Sequence, residues 1–159
     1  MKNGEKTNVM RLLDGKKIAY VGHTYEPDAS RTGVEIAGML GEDPEKVFKT
    51  LVTQGKSGRY YVFVIPVGKE LDLKKAASVS GEKSIAMIPQ KELLPLTGYI
   101  HGGCSPIGMK KPFPTYIQES AEQQEKMFVS AGKVGFQIEI APADLVRAAG
   151  GRYADIVQD

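Results

Sequence analysis

Apolar residues recur along this chain with two different periods, and the changes of period mark out its elements. Val9, Met10, Leu12 and Leu13 lie between Thr7 and Gly15, which reads as a short helix with a threonine N-cap and a glycine stop. Ile18, Tyr20 and Val21 favour a strand over 17–23, and 24–31 reads as a loop punctuated by Pro27. Thr32 with Glu35 forms a capping box, opening a helix that carries Ile36, Met39 and Leu40 on one face and stops at Gly41. Asp43-Pro44 begins a further helical turn. The clearest strands are VFKTLVT (47–53) and RYYVFVIPV (59–67), β-branched and aromatic, joined through 55–58 as a hairpin. Asp72 caps a helix running to Ser80, 84–88 is a short strand, and 90–96 is a helix ended near Gly98. After a glycine-rich stretch come strands at 115–118, 127–130 and 136–140. A last helix spans 143–149, closed by Gly150-Gly151, and 153–157 is predicted to return as a final strand.

Strands follow strands as often as helices do, so regular βαβ winding is excluded. The order predicts an α+β fold: a mixed, largely antiparallel sheet, curled or partly closed, with helices against its outside. No repeat, low-complexity tract or linker divides the chain, which predicts one domain over residues 1–159.

Composition narrows the setting. An apolar fraction of 42% and a charged fraction of 25% suit a globular protein, and no apolar run has transmembrane length. The polar start MKNGEKTNVMR lacks the apolar region of a secretory leader, and a lone cysteine fits a reducing compartment, so the expectation is a cytoplasmic protein. A net charge of +2 is too small to make the whole surface a nucleic-acid binder, although the pairs Lys16/Lys17, Lys74/Lys75 and Lys110/Lys111 leave room for local phosphate contacts.

Candidate chemistry centres on GGCSPIG (102–108), which fits neither periodic pattern. Cys104 is an obvious nucleophile to test, with His101 three residues before it and His23 distant in sequence, but nothing marks either imidazole as its base. The other reading of Cys104 is a small buried apolar filler. Ser105 forms no nucleophile elbow, because Pro106 removes the following amide. One cysteine and two separated histidines give no metal-ligand spacing, and neither a P-loop nor G-x-G-x-x-G is present, so no metal or cofactor is expected. In VFKTLVT, Lys49 shares a face with Val47 and Leu51. Two readings stand: an edge-strand lysine reaching for water, or a fixed cation in a cleft that stabilises an oxyanion. Gly102 and Gly103 permit close backbone approach to a ligand, and amides run from Gly102 to Ser105.

Six blocks, in order, carry a resemblance: HTYEPD (23–28), VFKTLV (47–52), LDLKKAA (71–77), TGYIHGGCSPIGMKK (97–111), VSAGKVG (129–135) and IEIAPADLV (138–146). Together they resemble the YbaK family of free-standing aminoacyl-tRNA deacylases, related to the editing domain inserted in bacterial prolyl-tRNA synthetases. The GGCSPIGMKK run resembles the branch that removes cysteine from proline tRNA and differs from the alanine-editing relatives.

The resemblance implies a barrel-like mixed sheet with flanking helices and cleavage of a mischarged aminoacyl ester. It implies that Lys49 is the essential lysine and that Gly102, Gly103, Ser105 and Pro106 surround the terminal adenosine and aminoacyl carbonyl. Tyr25, Ser130 and Asp144 join them as substrate-binding residues. Ala131 departs from the family pattern, which has two glycines after the serine. The implied partners are the 3′ end of tRNA(Pro) carrying cysteine and, transiently, prolyl-tRNA synthetase, with no membrane. In the mechanism implied for this branch the substrate's own thiolate attacks its ester, so proline, lacking a thiol, survives.

Overall fold

A computed structural model of the chain describes residues 5–28 and 30–159. Part of the leader expectation (residues 1–4) and position 29 of the predicted 24–31 loop lie outside the described residues.

Among these residues the order is α1 (Asn8–Gly15), β1 (Val21–Thr24), α2 (Gly33–Leu40), β2 (Phe48–Gly55), β3 (Tyr60–Pro66), α3 (Leu73–Ser80), β4 (Ile85–Met87), α4 (Leu93–Thr97), β5 (Thr115–Gln118), β6 (Met127–Ser130), β7 (Phe136–Ile140), α5 (Pro142–Ala149) and β8 (Gly151–Ala154). Short 3-10 turns stand at Gln90–Glu92 and Glu119–Gln123. The helix signals act as their chemistry dictates. Thr7 accepts from the Met10 amide, Thr32 and Glu35 close their capping box, and Asp72 accepts from the amides of Lys74 and Lys75.

Two sheets form, in the orders β1-β7-β6 and β4-β2-β3-β5-β8. The α+β class holds, and the sheet is mixed: β3-β5 and β5-β8 are parallel, the other pairs antiparallel. The expected barrel does not close. The sheets meet at one edge of β2, whose C-terminal half pairs with β4 while its N-terminal end makes a single parallel bridge, Val47 to Phe128. β2 cannot ladder to both neighbours along its whole length, so the surfaces splay apart there.

Between the sheets lies the main core. Val62 and Val64 of β3 meet Val129, Ile138 and Ile140 of β6 and β7, with Val9, Met10 and Leu13 of α1 plugging one side. On the other face of β3, Tyr61, Phe63 and Ile65 pack beneath Ala76 and Ala77 of α3. The strict alternation of YYVFVIP thus feeds two cores at once.

Two strand ends differ from the sequence reading. The first strand begins at Val21 because Lys17 takes a left-handed turn (φ 58°) and Ile18 returns its amide to the Leu13 carbonyl. The last runs Gly151–Ala154, directly after the Gly150 cap, rather than over 153–157. Its glycine start pairs with Thr115, and the following Ile156 is fully buried. No helix of the described residues is long and apolar enough to cross a membrane.

Candidate active site

One row of polar side chains crosses four strands. His23 of β1 pairs with Gln137 of β7, and Gln137 pairs with Ser130 of β6. Ser130 lies two residues beyond Phe128, and Lys49 two residues beyond Val47, from the one bridge that joins β6 to β2. Because that bridge is parallel, Lys49 and Ser130 follow it at the same offset on neighbouring stretches of chain. Directly paired residues share a face, so the row presents one surface, opposite the main core.

Lys49 is half-buried, flanked on its face by buried Val47 and half-buried Leu51. Among the described residues no carboxylate lies within 4 Å of its ammonium. A partly desolvated, unpaired cation is what an oxyanion-stabilising role requires.

The hairpin turn after Ser130 gathers the rest. Ser130 Oγ accepts from the Gly132 amide at 3.2 Å. The Tyr25 amide donates to the Gly135 carbonyl at 3.0 Å, carrying β1's pairing onto the turn. Burial raises the Tyr25 phenol's pKa, opposed by the Gly135 backbone. Ala131, the departure from the family pattern, is fully buried in the main core, so its methyl points away from this surface.

Gly103 rests on the same turn. A Cβ there would lie 3.0 Å from the Val134 nitrogen and 3.2 Å from the Lys133 carbonyl carbon, closer than a side chain fits. Gly102, exposed, has a φ of 86°, the left-handed backbone that glycine alone adopts freely. Beyond them the loop dives into the core: Cys104, Ser105, Pro106 and Ile107 are buried, and the Tyr99 hydroxyl donates to the Ile107 carbonyl. Ser105, fully buried, accepts from the Ile107 amide at 3.3 Å, so Ser105 and Pro106 hold the loop from behind, Gly103 is buried against the turn and Gly102 is the exposed member of the pair. Burial pushes the Cys104 thiol up to about 12. A thiol so placed carries almost no thiolate at neutral pH, and the filler reading of Cys104 stands.

Lys49, Ser130, Tyr25, Gly102 and Gly103 are therefore drawn to one end of the β6–β7 hairpin. Asp144 is not. It lies in the first turn of α5, which leaves the opposite end of that hairpin after Ile140, and its carboxylate accepts from Arg147 at 3.2 Å. An acid there complements the helix N-terminus.

Sequence reasoning missed three members of the polar face. Gln137 is 4% exposed, Glu139 meets His23 Nε2 at 2.8 Å, and Glu42 reaches in from the end of α2. Burial raises the Glu42 carboxyl's pKa, countered by the Gln137 amide and by His23. Oε1 of Glu42 and Oε1 of Gln137 are each buried without a donor among the described residues. The readable signal was the alternation in FQIEI, which sets Gln137 and Glu139 on one face and three core residues on the other. Among the described residues no group of three or more His, Cys, Asp or Glu is placed to hold a metal ion.

A half-buried strand lysine and a glycine loop, both near the same end of the β6–β7 hairpin, fit a site that binds an ester end and stabilises charge on its carbonyl. Residues 27–148 match the family model of the aminoacyl-tRNA editing domain, and the chain belongs to that family. It is 46% identical over 156 residues to EbsC of Enterococcus faecalis, provisionally named a Cys-tRNA(Pro)/Cys-tRNA(Cys) deacylase, covering 98% of this chain and 95% of that one. A proline–tRNA ligase of Fervidobacterium nodosum is 26% identical over 99 residues, 62% of this chain but 17% of the ligase. Among solved structures, one described provisionally as a trans-editing enzyme for prolyl-tRNA synthetase superposes with a TM-score of 0.80 at 25% identity, over 98% of this chain and all of the other (100%). The hypothetical protein APE2540 shares the fold, with a TM-score of 0.87 at 24% identity over 96% of this chain and 100% of its own.

Proposed function

We propose that this chain, acting as one unit over residues 1–159, removes cysteine mischarged onto proline tRNA. It works in trans in the cytoplasm, on charged tRNA presented by a transient complex with prolyl-tRNA synthetase. Lys49 stabilises the ester's oxyanion. Gly102 and Gly103 present backbone to the terminal adenosine and aminoacyl carbonyl, and Ser130 and Tyr25 border the bound end. Ser105 and Pro106 support the loop.

The observation that carries the reading of mechanism is Cys104. The chain's one thiol is buried and pushed up to about 12, which supports a nucleophile brought by the substrate. The cysteinyl thiolate attacks its own ester carbonyl carbon. A carbon–sulfur bond forms and the carbon–oxygen bond to the ribose breaks. The ribose oxygen takes up a proton through solvent, replacing the one the thiol gave up, and the released thiolactone is hydrolysed by water. Size discriminates poorly between cysteine and proline, at about 1–3 kcal/mol per methylene, whereas the thiol separates them by chemistry.

Single-turnover deacylation of cysteinyl- and seryl-tRNA across pH tests this. The cysteinyl rate is expected to climb toward a thiol pKa of about 8.5, nearby ammonium charge lowering it, while seryl-tRNA stays slow throughout. Equal rates with one pH profile would instead establish an activated water as the nucleophile.

A further inference from the structure

Far from the polar row, a surface cavity of about 300 Å³ opens between Arg59 and Arg152, floored by Tyr61, Thr115 and Tyr116. Arg59 closes the β2–β3 hairpin, where its carbonyl accepts from the Gly55 amide, and Arg152 sits on β8 beside Tyr116. Both arginines are exposed, and among the described residues neither has a carboxylate within 4 Å. The hydroxyls around them already donate elsewhere: Tyr61 to Glu82, Ser80 to the Ala76 carbonyl, Thr115 to Phe113 and Tyr116 to Val79. Glu82, whose carboxyl is held low by Ser57 and Tyr61 and more weakly by the Arg59 charge, also accepts from the Ser57 amide at 3.0 Å. Two guanidinium forks are thus the uncommitted donors of the cavity, and a planar fork matches the paired oxygens of a phosphate.

We propose that this cavity holds a backbone phosphate of the tRNA acceptor stem. The inference rests on the deacylase reading above and adds a second point of contact to it. Lys49 and Tyr61 lie on the same face of the β2–β3 pair, at opposite ends: Lys49 pairs with Ile65, Thr53 with Tyr61. From Lys49 to Gly55, at the hairpin, is six residues, or about 20 Å at 3.4 Å per residue. Thr53, Phe63 and Ile65 fill that face beneath α3, so the unpaired 3′ end does not cross it, and it is the more distant duplex, passing outside α3, that reaches the arginines. This supplies the phosphate grip that a net charge of +2 does not provide over the surface as a whole.

The test compares the wild type with an Arg59→Gln/Arg152→Gln double variant on two substrates. One is full-length cysteinyl-tRNA, the other a cysteinylated CCA oligonucleotide without a stem. On full-length tRNA the double variant is expected to raise KM about tenfold at unchanged kcat, and to make the log–log salt dependence shallower by about 1 to 2. On the oligonucleotide it is expected to match the wild type. Unchanged KM on full-length tRNA, or equal losses on both substrates, would overturn the proposal. If the wild type cleaves neither substrate, the deacylase reading fails. The arginine site is then decided by fluorescence anisotropy with uncharged proline tRNA, where about tenfold weaker binding of the double variant supports it and equal binding refutes it.

Discussion

Adding one methyl group at Gly103 tests how the site is held together. The backbone there lies outside the left-handed region, so Gly103→Ala meets no conformational objection and only space is at issue. The new Cβ would stand 3.0 Å from the Val134 nitrogen, 3.2 Å from the Lys133 carbonyl carbon and 3.3 Å from the Lys133 Cα. Ordinary contact begins at 3.4 Å, so loop and turn must part by about 0.4 Å (3.4 − 3.0). All three neighbours are backbone atoms, and none can rotate away. Overpacking of this kind costs about 1–3 kcal/mol, which for a domain of this size lowers Tm by about 2–12 °C. The same displacement moves the glycine loop relative to Ser130. Since a misplacement of 1 Å costs about 100-fold in rate, a loss in kcat/KM on the order of tenfold is expected. Thermal denaturation and deacylation of cysteinyl-tRNA read the two effects. Gly38→Ala is the control: it lies in α2 with nothing within 4 Å of its Cβ, and it is expected to gain about 0.5–1 kcal/mol without changing activity. Wild-type Tm and kcat/KM in Gly103→Ala would refute the contact as the element that positions the site.

Lys49→Met keeps the apolar stem and removes the charge, so kcat/KM should fall about 100- to 1000-fold with Tm nearly unchanged; full activity would return Lys49 to a structural role. Cys104→Ala should remain active and lose about 1–2 kcal/mol in chemical denaturation, because it empties a buried site without touching the chemistry. Inactivation with the fold intact would make the thiol a nucleophile after all. Asp144→Asn should deacylate at the wild-type rate and lose less than about 1 kcal/mol, since its partner Arg147 has a side chain 67% exposed. A large drop in kcat there would show that α5 reaches the substrate.

The sequence by itself determined what depends on neighbours along the chain. Thr32 with Glu35, Asp72 and the glycine stops set helix ends because caps act within a turn of their own position. The β-branched and aromatic run YYVFVIP specified a strand for the same local reason, and the structure buries both of its faces. The matching blocks also marked Lys49 and the glycine loop as candidates for an editing site. Tertiary structure decided which candidates meet. Lys49 and Ser130 are 81 residues apart (130 − 49), and only the parallel bridge at Val47 and Phe128 brings their strands together. Asp144 follows the same hairpin yet leaves from its far end, a matter of strand direction that no motif encodes. Gln137 and Glu139 were discernible as one face of FQIEI, but whether that face met water, helix or substrate depended on which strands flank β7. The sheet's failure to close has a similar origin. Period two tells a strand which residues share a face, whereas hydrogen bonding along β2 can satisfy only one neighbour at each point of an edge, and β4 and β6 divide it.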